Sequence, residues 1–314
     1  MITEKIFDAS TKMCKGFPKI EKLGAVSPFG QPDNFVWNGR VYRLETTDPT
    51  NGVDRYAPII ASIRDRETGE IISRFGHGCY YYSLYQEKDT VYVIAVKSVP
   101  PLFGGDTLML YESQNLVCWT CRELMHVPDL WVHYMSMTKG PHGYVLCMLS
   151  QKPDKYVEPH HFTCFFAVSE DMQHWTVMDA EHRFPQNRYI GSPYLKYHDG
   201  YYYLMAAQEL PFLRYGVYAF RTADFETWEH GLYNPILLPG DEDRRLSLYA
   251  YDFTQEQIRE MRTGFISSNS DIHLCEWKGQ TLFSYCVGNQ LGFAYSAEAI
   301  YNGTPEQFLL ANFE

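Results

Sequence analysis

The sequence predicts an all-β fold, a five-bladed β-propeller with one short inserted helix. Three observations predict it. Five polar turns are each followed by an apolar, aromatic-rich run. A hydroxyl–acid–tryptophan signature trails three of those runs. Successive turns recur at about fifty residues, the length of a four-stranded blade.

The turns come first in the argument. Asn38-Gly39 precedes Val41, Tyr42 and Leu44; Lys88-Asp89 precedes Val91, Tyr92, Val93 and Ile94; His142-Gly143 precedes Tyr144, Val145 and Leu146. Asp199-Gly200 precedes Tyr201, Tyr202, Tyr203 and Leu204, and Lys278-Gly279 precedes Leu282 and Phe283. Asn-Gly and Asp-Gly reach the positive φ angles that two-residue hairpins require. A short strand-like run precedes each turn, so each unit holds a hairpin.

The second signal reads Ser113-x-Asn115-x-x-x-Trp119, Ser169-x-Asp171-x-x-x-Trp175 and Thr222-x-Asp224-x-x-x-Trp228. The short polar side chains close a turn on their own backbone, and the Trp leads into an outer strand. Ser62-Ile63-Arg64-Asp65 reads as a degenerate first copy, and Ser296-Ala297-Glu298 as the last.

The turn glycines or their equivalent fall at 39, 89, 143, 200 and 279, giving gaps of 50, 54, 57 and 79. The long final gap holds an insertion. Thr254 is a fit N-cap and Gly264 a fit stop, which predicts one short helix between them. The blades are expected at about 24–74, 75–125, 126–180, 188–240 and 265–314, in one domain over 1–314. The remaining N-terminal segment is expected to supply a closing strand or a flap.

Composition narrows the function. The net charge of −11 and the absence of a basic stripe argue against nucleic acid and anionic surfaces. The N-terminus shows no secretory pattern, and no apolar run reaches the ~20 residues of a membrane helix. Eight scattered cysteines, of which Cys118 and Cys121 form the one close pair, read as reduced thiols and suggest a cytoplasmic protein. The 16% aromatic content fits either a β-rich core or a sugar-stacking cleft. No phosphate loop, nucleophile elbow or zinc-helix histidine pair occurs; His160 and His161 are adjacent rather than one turn apart.

Five blades, the repeated Ser-x-Asp-x-x-x-Trp hairpin and the Asp199–Leu204 strand pair resemble the glycoside hydrolases of families 43 and 32, and the related neoagarooligosaccharide hydrolases. The resemblance spans essentially the whole chain. It implies an axial funnel lined by the first residues of the inner strands, with an acid and a base across a glycosidic bond. Asp33, in Gln31-Pro32-Asp33-Asn34-Phe35, matches the general-base position, or closes an Asx turn at a strand start. The third blade offers Asp129-Leu130-Trp131-Val132-His133, where the resemblance implies an Asp; His133 lies nearer that place and is either a site residue or a satisfied core group. The fourth blade has Ile190-Gly191-Ser192-Pro193 where the family carries its acidic Glu. Replacement acids are Asp271 at the start of the fifth inner strand, Glu209 at a strand end, and His77 between Gly76 and Gly78. Trp131, His133, Arg188, Tyr189, Arg214 and Gln290 are candidates for sugar contact.

The implied activity is exo-acting, inverting hydrolysis of a small oligosaccharide or glycoside. Two other readings stay open: a carbohydrate-binding propeller that lacks the acid, and a protein-interaction propeller. Some relatives hold a calcium or other ion on the axis; no motif here demands a cofactor or metal.

Overall fold

The computed structural model describes residues 18–47, 59–97, 104–156, 161–212, 214–289 and 292–313. The architecture is all-β and propeller-like. Three antiparallel four-stranded meanders follow one another: β2 (Asp33–Trp37), β3 (Arg40–Thr47), β4 (Ile60–Asp65) and β5 (Ile71–Phe75); β6 (Cys79–Glu87), β7 (Thr90–Lys97), β8 (Thr107–Ser113) and β9 (Thr120–His126); β10 (Val132–Gly140), β11 (Gly143–Ser150), β12 (Thr163–Ser169) and β13 (Thr176–Val177). The remaining sheet has eight strands. One half is β14 (Gly191–His198), β15 (Tyr201–Leu210), β16 (Arg214–Thr222) and β17 (Glu229–His230). The other is β18 (Ser268–Trp277), β19 (Gln280–Gly288), β20 (Ala294–Tyr301) and, on its outer edge, β1 (Glu21–Ser27). A single parallel pairing, Tyr215 with Ser268, joins the halves. The first strands of the meanders touch in cyclic order: β2 on β6, β6 on β10, β10 on β14, β14 on β18, and β18 back on β2.

The hairpins form where the turn chemistry requires them. Asn38-Gly39, Asp199-Gly200 and Lys278-Gly279 all have positive φ at both positions. In the third hairpin the turn is Pro141-His142, and Gly143 already pairs with Gly140 as the first strand residue. The trailing signature is a side-chain-closed turn. Asn115, Asp171 and Asp224 each accept two backbone N–H groups at 2.8–2.9 Å, from the residues two and three further on. The residue between them and the Trp, namely Leu116, Met172 or Phe225, is left-handed and buried, so the turn plugs its own sheet.

Four expectations are corrected. The degenerate first copy is real only at Asp65, whose Oδ1 accepts from Glu67 and Thr68 at 2.9 Å; Ser62 lies inside β4, and the place of the hydroxyl residue is taken by Ile63. Ser296 and Glu298 form no turn, being buried within β20. Besides the expected helix, α1 (Gln255–Thr263) capped by Thr254, a second helix α2 (Pro305–Ala311) follows β20. It carries the same capping box, Thr304 with Gln307, and Pro305 at its first turn, a start signal in a segment too short to show periodicity. Residues 24–27, expected in the first blade, belong to β1 and pair with β20, so the N-terminal segment supplies a strand to the last sheet.

Four apolar clusters fill the spaces between successive meanders: first with second, second with third, third with fourth, and fourth with last. The remaining space, between last and first, is ionic. Arg43 donates to Glu45 at 3.0 Å and to Glu298 at 2.8 Å; Arg66 reaches the other Glu298 oxygen through two donors at 2.9 and 2.8 Å; Arg64 donates to Glu45 at 2.9 Å. Asn34 adds a donor to Glu298 at 2.9 Å. Residues of the insertion strap this seam. Arg245 and Ser247 bond the backbone of Ala25, Tyr251 donates its hydroxyl to Glu67 O at 2.6 Å, and Asp252 pairs with Arg64. Lys22 meets the buried Asp243 at 2.6 Å.

Removing one member of a buried ion cluster strands the others without a partner, at a cost of about 3–5 kcal/mol. Glu298→Ala, which takes from Arg66 and Arg43 their carboxylate on the last sheet, is expected to lower the chemical-denaturation midpoint by an amount of that order. An unchanged midpoint would refute the role assigned to the cluster.

Candidate functional site

Interruptions of strand register at the starts of the inner strands turn side chains toward the axis. The register shifts between Tyr80 and Ser83, Val132 and Tyr134, Gly191 and Tyr194, and Ser270 and His273. The bulge residues Tyr81, Ser192 and Asp271 sit at φ 55°, 44° and 50°. A bulge re-aims a side chain that regular pairing would send into the sheet. Asp271, tolerant of this conformation, thereby leaves the core alternation of β18.

Asp33 and Asp271 are both buried, 2% and 8% exposed. Asp33 Oδ2 accepts the Leu84 N–H at 2.7 Å, which ties β2 to β6. Burial pushes the Asp33 carboxyl up to about 8; the Leu84 hydrogen bond opposes this, and the Asp271 charge adds to it. Asp271 is also raised by burial, but the Ser270 hydroxyl, donating at 2.5 Å, and the Ser192 hydroxyl favour its charged form. Two hydroxyls thus oppose burial at Asp271, as one backbone N–H does at Asp33. Asp271 lines a cavity of about 420 Å³ with Gln31, Thr46, Tyr80, Tyr81, Ser270 and Cys286.

A second cavity, of about 700 Å³, opens at the end of β15. Arg188, Tyr189, Gln208, Glu209, Phe212 and Tyr218 line it. Burial raises the Tyr189 phenol, and Tyr215, Asp271 and Glu209 add to the rise, so the ring lies within the field of both acids. A row of aromatic rings links the cavities. Tyr81 meets His133 at 5.7 Å, His133 meets Phe162 at 5.0 Å, and Phe162 meets Tyr189 at 5.9 Å, all edge-to-face. Burial holds His133 down to about 4, against a hydrogen bond with Gln151, so the ring is neutral.

The structure thus gathers some sequence candidates and separates others. Asp33 and Asp271 meet near the axis; Arg188, Tyr189 and Glu209 share the second cavity; His133 joins the aromatic row. Trp131 packs under the Lys152 ammonium at 5.7 Å and lines neither cavity. His77 is exposed on the turn before β6 and also lines neither, because the register shift turns Tyr81 inward instead. Asp129 is exposed on the turn before β10, and Arg214 is exposed at the start of β16. Gln290 lies outside the described residues. Among the described residues, no group of three or more His, Cys, Asp or Glu side chains is arranged to hold a metal.

Gly191 explains the missing acid in physical terms. A Cβ there would sit 2.7 Å from the Tyr189 hydroxyl, so the phenol fills the space into which a side chain at 191 would project. Sequence reasoning missed Tyr80, Tyr81, Gln208 and Phe212. The first two hide in a run of three tyrosines whose register is set by the bulge; Gln208 is indistinguishable from any polar strand residue.

No family model matches the chain, and no curated protein matches its sequence. Solved structures do share its fold. The BT0996 complex with RGII superposes with a TM-score of 0.62 at 11% identity, over 92% of this chain and 94% of that one. A glycosyl hydrolase from Bacteroides ovatus gives 0.56 at 12% identity, over 93% and 92%. The xylan β-1,4-xylosidase from Bacillus halodurans C-125 gives 0.53 at 14% identity, over 90% of this chain and 54% of that one. The chain has the propeller fold of glycoside hydrolases.

Asp33 supplies a pH test of this geometry. Its folded value, about 8, lies above its value of 3.8 in an open chain, so the folded state binds the extra proton between the two. Its contribution to stability is complete below about pH 4 and is lost as pH rises through about 8. Asp33→Asn is expected to gain stability relative to the parent as pH is raised from 5 to 9, measured as the difference in denaturation midpoints. A constant difference would show that Asp33 ionises normally.

Proposed function

We propose that the chain is a five-bladed propeller that hydrolyses a glycosidic bond in a small neutral oligosaccharide or glycoside. The five-blade reading treats the halves of the eight-stranded sheet as separate blades, since one parallel pairing joins them and all five first strands meet around one axis. The observation that carries the function is the pair of buried carboxyls, Asp33 and Asp271, with Asp271 lining a cavity beside two tyrosines.

In this proposal Asp271 is the base, rather than the acid expected from the sequence. It takes a proton from water as the water oxygen attacks the anomeric carbon. Asp33 keeps its proton near neutrality, so Asp271 ionises without a second full negative charge beside it. Glu209, which lines the second cavity, is the group assigned to protonate the leaving oxygen as the carbon–oxygen bond breaks. Inversion is carried over from the family resemblance, and a terminal ring in the axial cavity suits exo action. The cysteine pattern is our reason for placing the protein in the cytoplasm.

A second reading, carbohydrate binding without turnover, is favoured by one observation: the tyrosine hydroxyl that stands where the acid of the fourth blade would project.

The two readings separate in one assay. Hydrolysis of aryl glycosides and neutral disaccharides should be lost by about 10³-fold or more in Asp271→Asn, with unchanged binding. Glu209→Gln should slow disaccharides far more than aryl glycosides with good leaving groups. A folded parent that binds sugars and turns none over would leave only the second reading.

A further inference from the structure

The cavity at the end of β15 holds more unanswered polar chemistry than packing requires. Gln208 is 4% exposed, yet its amide Nε2 is buried without a hydrogen-bond partner. A buried donor left unpaired is costly, and a ligand oxygen in the cavity would satisfy it. The Tyr218 phenol lines the same space and lies within the field of the Arg188 guanidinium. Phe212 stands at the mouth, 94% exposed and in the left-handed conformation at φ 69°, an aromatic face held out to solvent.

We infer that this cavity is the site for the leaving-group ring of a neutral oligosaccharide, so that the protein reads two adjoining sugar units rather than one. The inference rests on the glycosidase reading and names the substrate class of that same site. A sugar ring offers hydroxyls along its edge and an apolar face. The Gln208 amide and the Arg188 guanidinium donate to ring hydroxyls, the Tyr218 hydroxyl can donate or accept, and Phe212 covers the apolar face. A neutral ring is favoured over a uronate by the chain's net charge of −11. The edge-to-face row Tyr81–His133–Phe162–Tyr189 runs from a lining residue of the axial cavity to a lining residue of this one, so the two cavities are neighbours.

The test is calorimetric and uses the Asp271→Asn protein, so that no sugar is consumed. The probes are xylobiose, mannobiose and galactobiose, their monosaccharides, and digalacturonate as the charged comparison. One of the neutral disaccharides should bind at least about 10-fold more tightly than its monosaccharide. Adding Gln208→Leu or Phe212→Ala should erase most of that preference and leave monosaccharide affinity alone. Phe212 is almost wholly exposed, so its replacement does not threaten folding. A preference that survives both substitutions, or tighter binding of digalacturonate than of any neutral disaccharide, would overturn the inference. Monosaccharide binding without any disaccharide preference would overturn it while leaving the axial site intact. Absence of binding by every sugar would remove the glycosidase reading as well.

Discussion

The structure depends on how its last sheet is held to its first. Between the other neighbouring meanders the core contact is apolar, a non-directional contact that tolerates small slips, with a few polar links such as Lys139 to Glu87 at 2.6 Å. At the seam, Glu298 receives Arg43, Arg66 and Asn34, and Glu45 receives Arg43 and Arg64, all within the protein interior. Charge-assisted hydrogen bonds of this kind demand one register, because a shifted strand would leave full charges buried alone. The seam therefore fixes where β2 lies against β18. Those two strands carry Asp33 and Asp271, so the ion cluster that closes the ring also sets the spacing of the two axial carboxyls.

That arrangement gives the carboxyls different surroundings without changing their chemistry. Asp33 is locked to the Leu84 N–H and hidden from both cavities; Asp271, turned out by a bulge and met by two serine hydroxyls, is the group a solvent molecule can reach. Unequal surroundings separate two otherwise identical acids, which is the general route by which one site supplies both a proton donor and a proton acceptor. Tyr189 then divides the site laterally. Its hydroxyl stands over Gly191, and its ring borders the Gln208 cavity.

Much of the architecture was legible because its causes are local. Positive-φ turns and the Ser-x-Asp-x-x-x-Trp closure write themselves into a few adjacent residues, and α1 announces its own cap. What failed was non-local. The pairing of β1 with β20 leaves no mark in either segment, and Glu298 reads as a turn acid when its partners lie 255 and 232 residues away. The site shows the same division. Asp33 and Asp271 stand out as acids at strand starts, but their burial and partners on other strands, such as the Leu84 N–H on β6 and the Ser192 hydroxyl on β14, are not written beside them. Gln208 becomes informative only when its amide is seen to lack a partner.

The way the seam is built also bears on synthesis. Ala25 pairs with Ala297, so β1 must wait for nearly the entire chain before its neighbour exists. Contacts so distant in sequence form late. An unfinished propeller with a greasy gap at that point would invite other chains to fill it. Here the waiting surface on the first sheet is lined by arginines and a glutamate, groups that water solvates well, and it turns into a dry interior only when its one correct counterpart arrives.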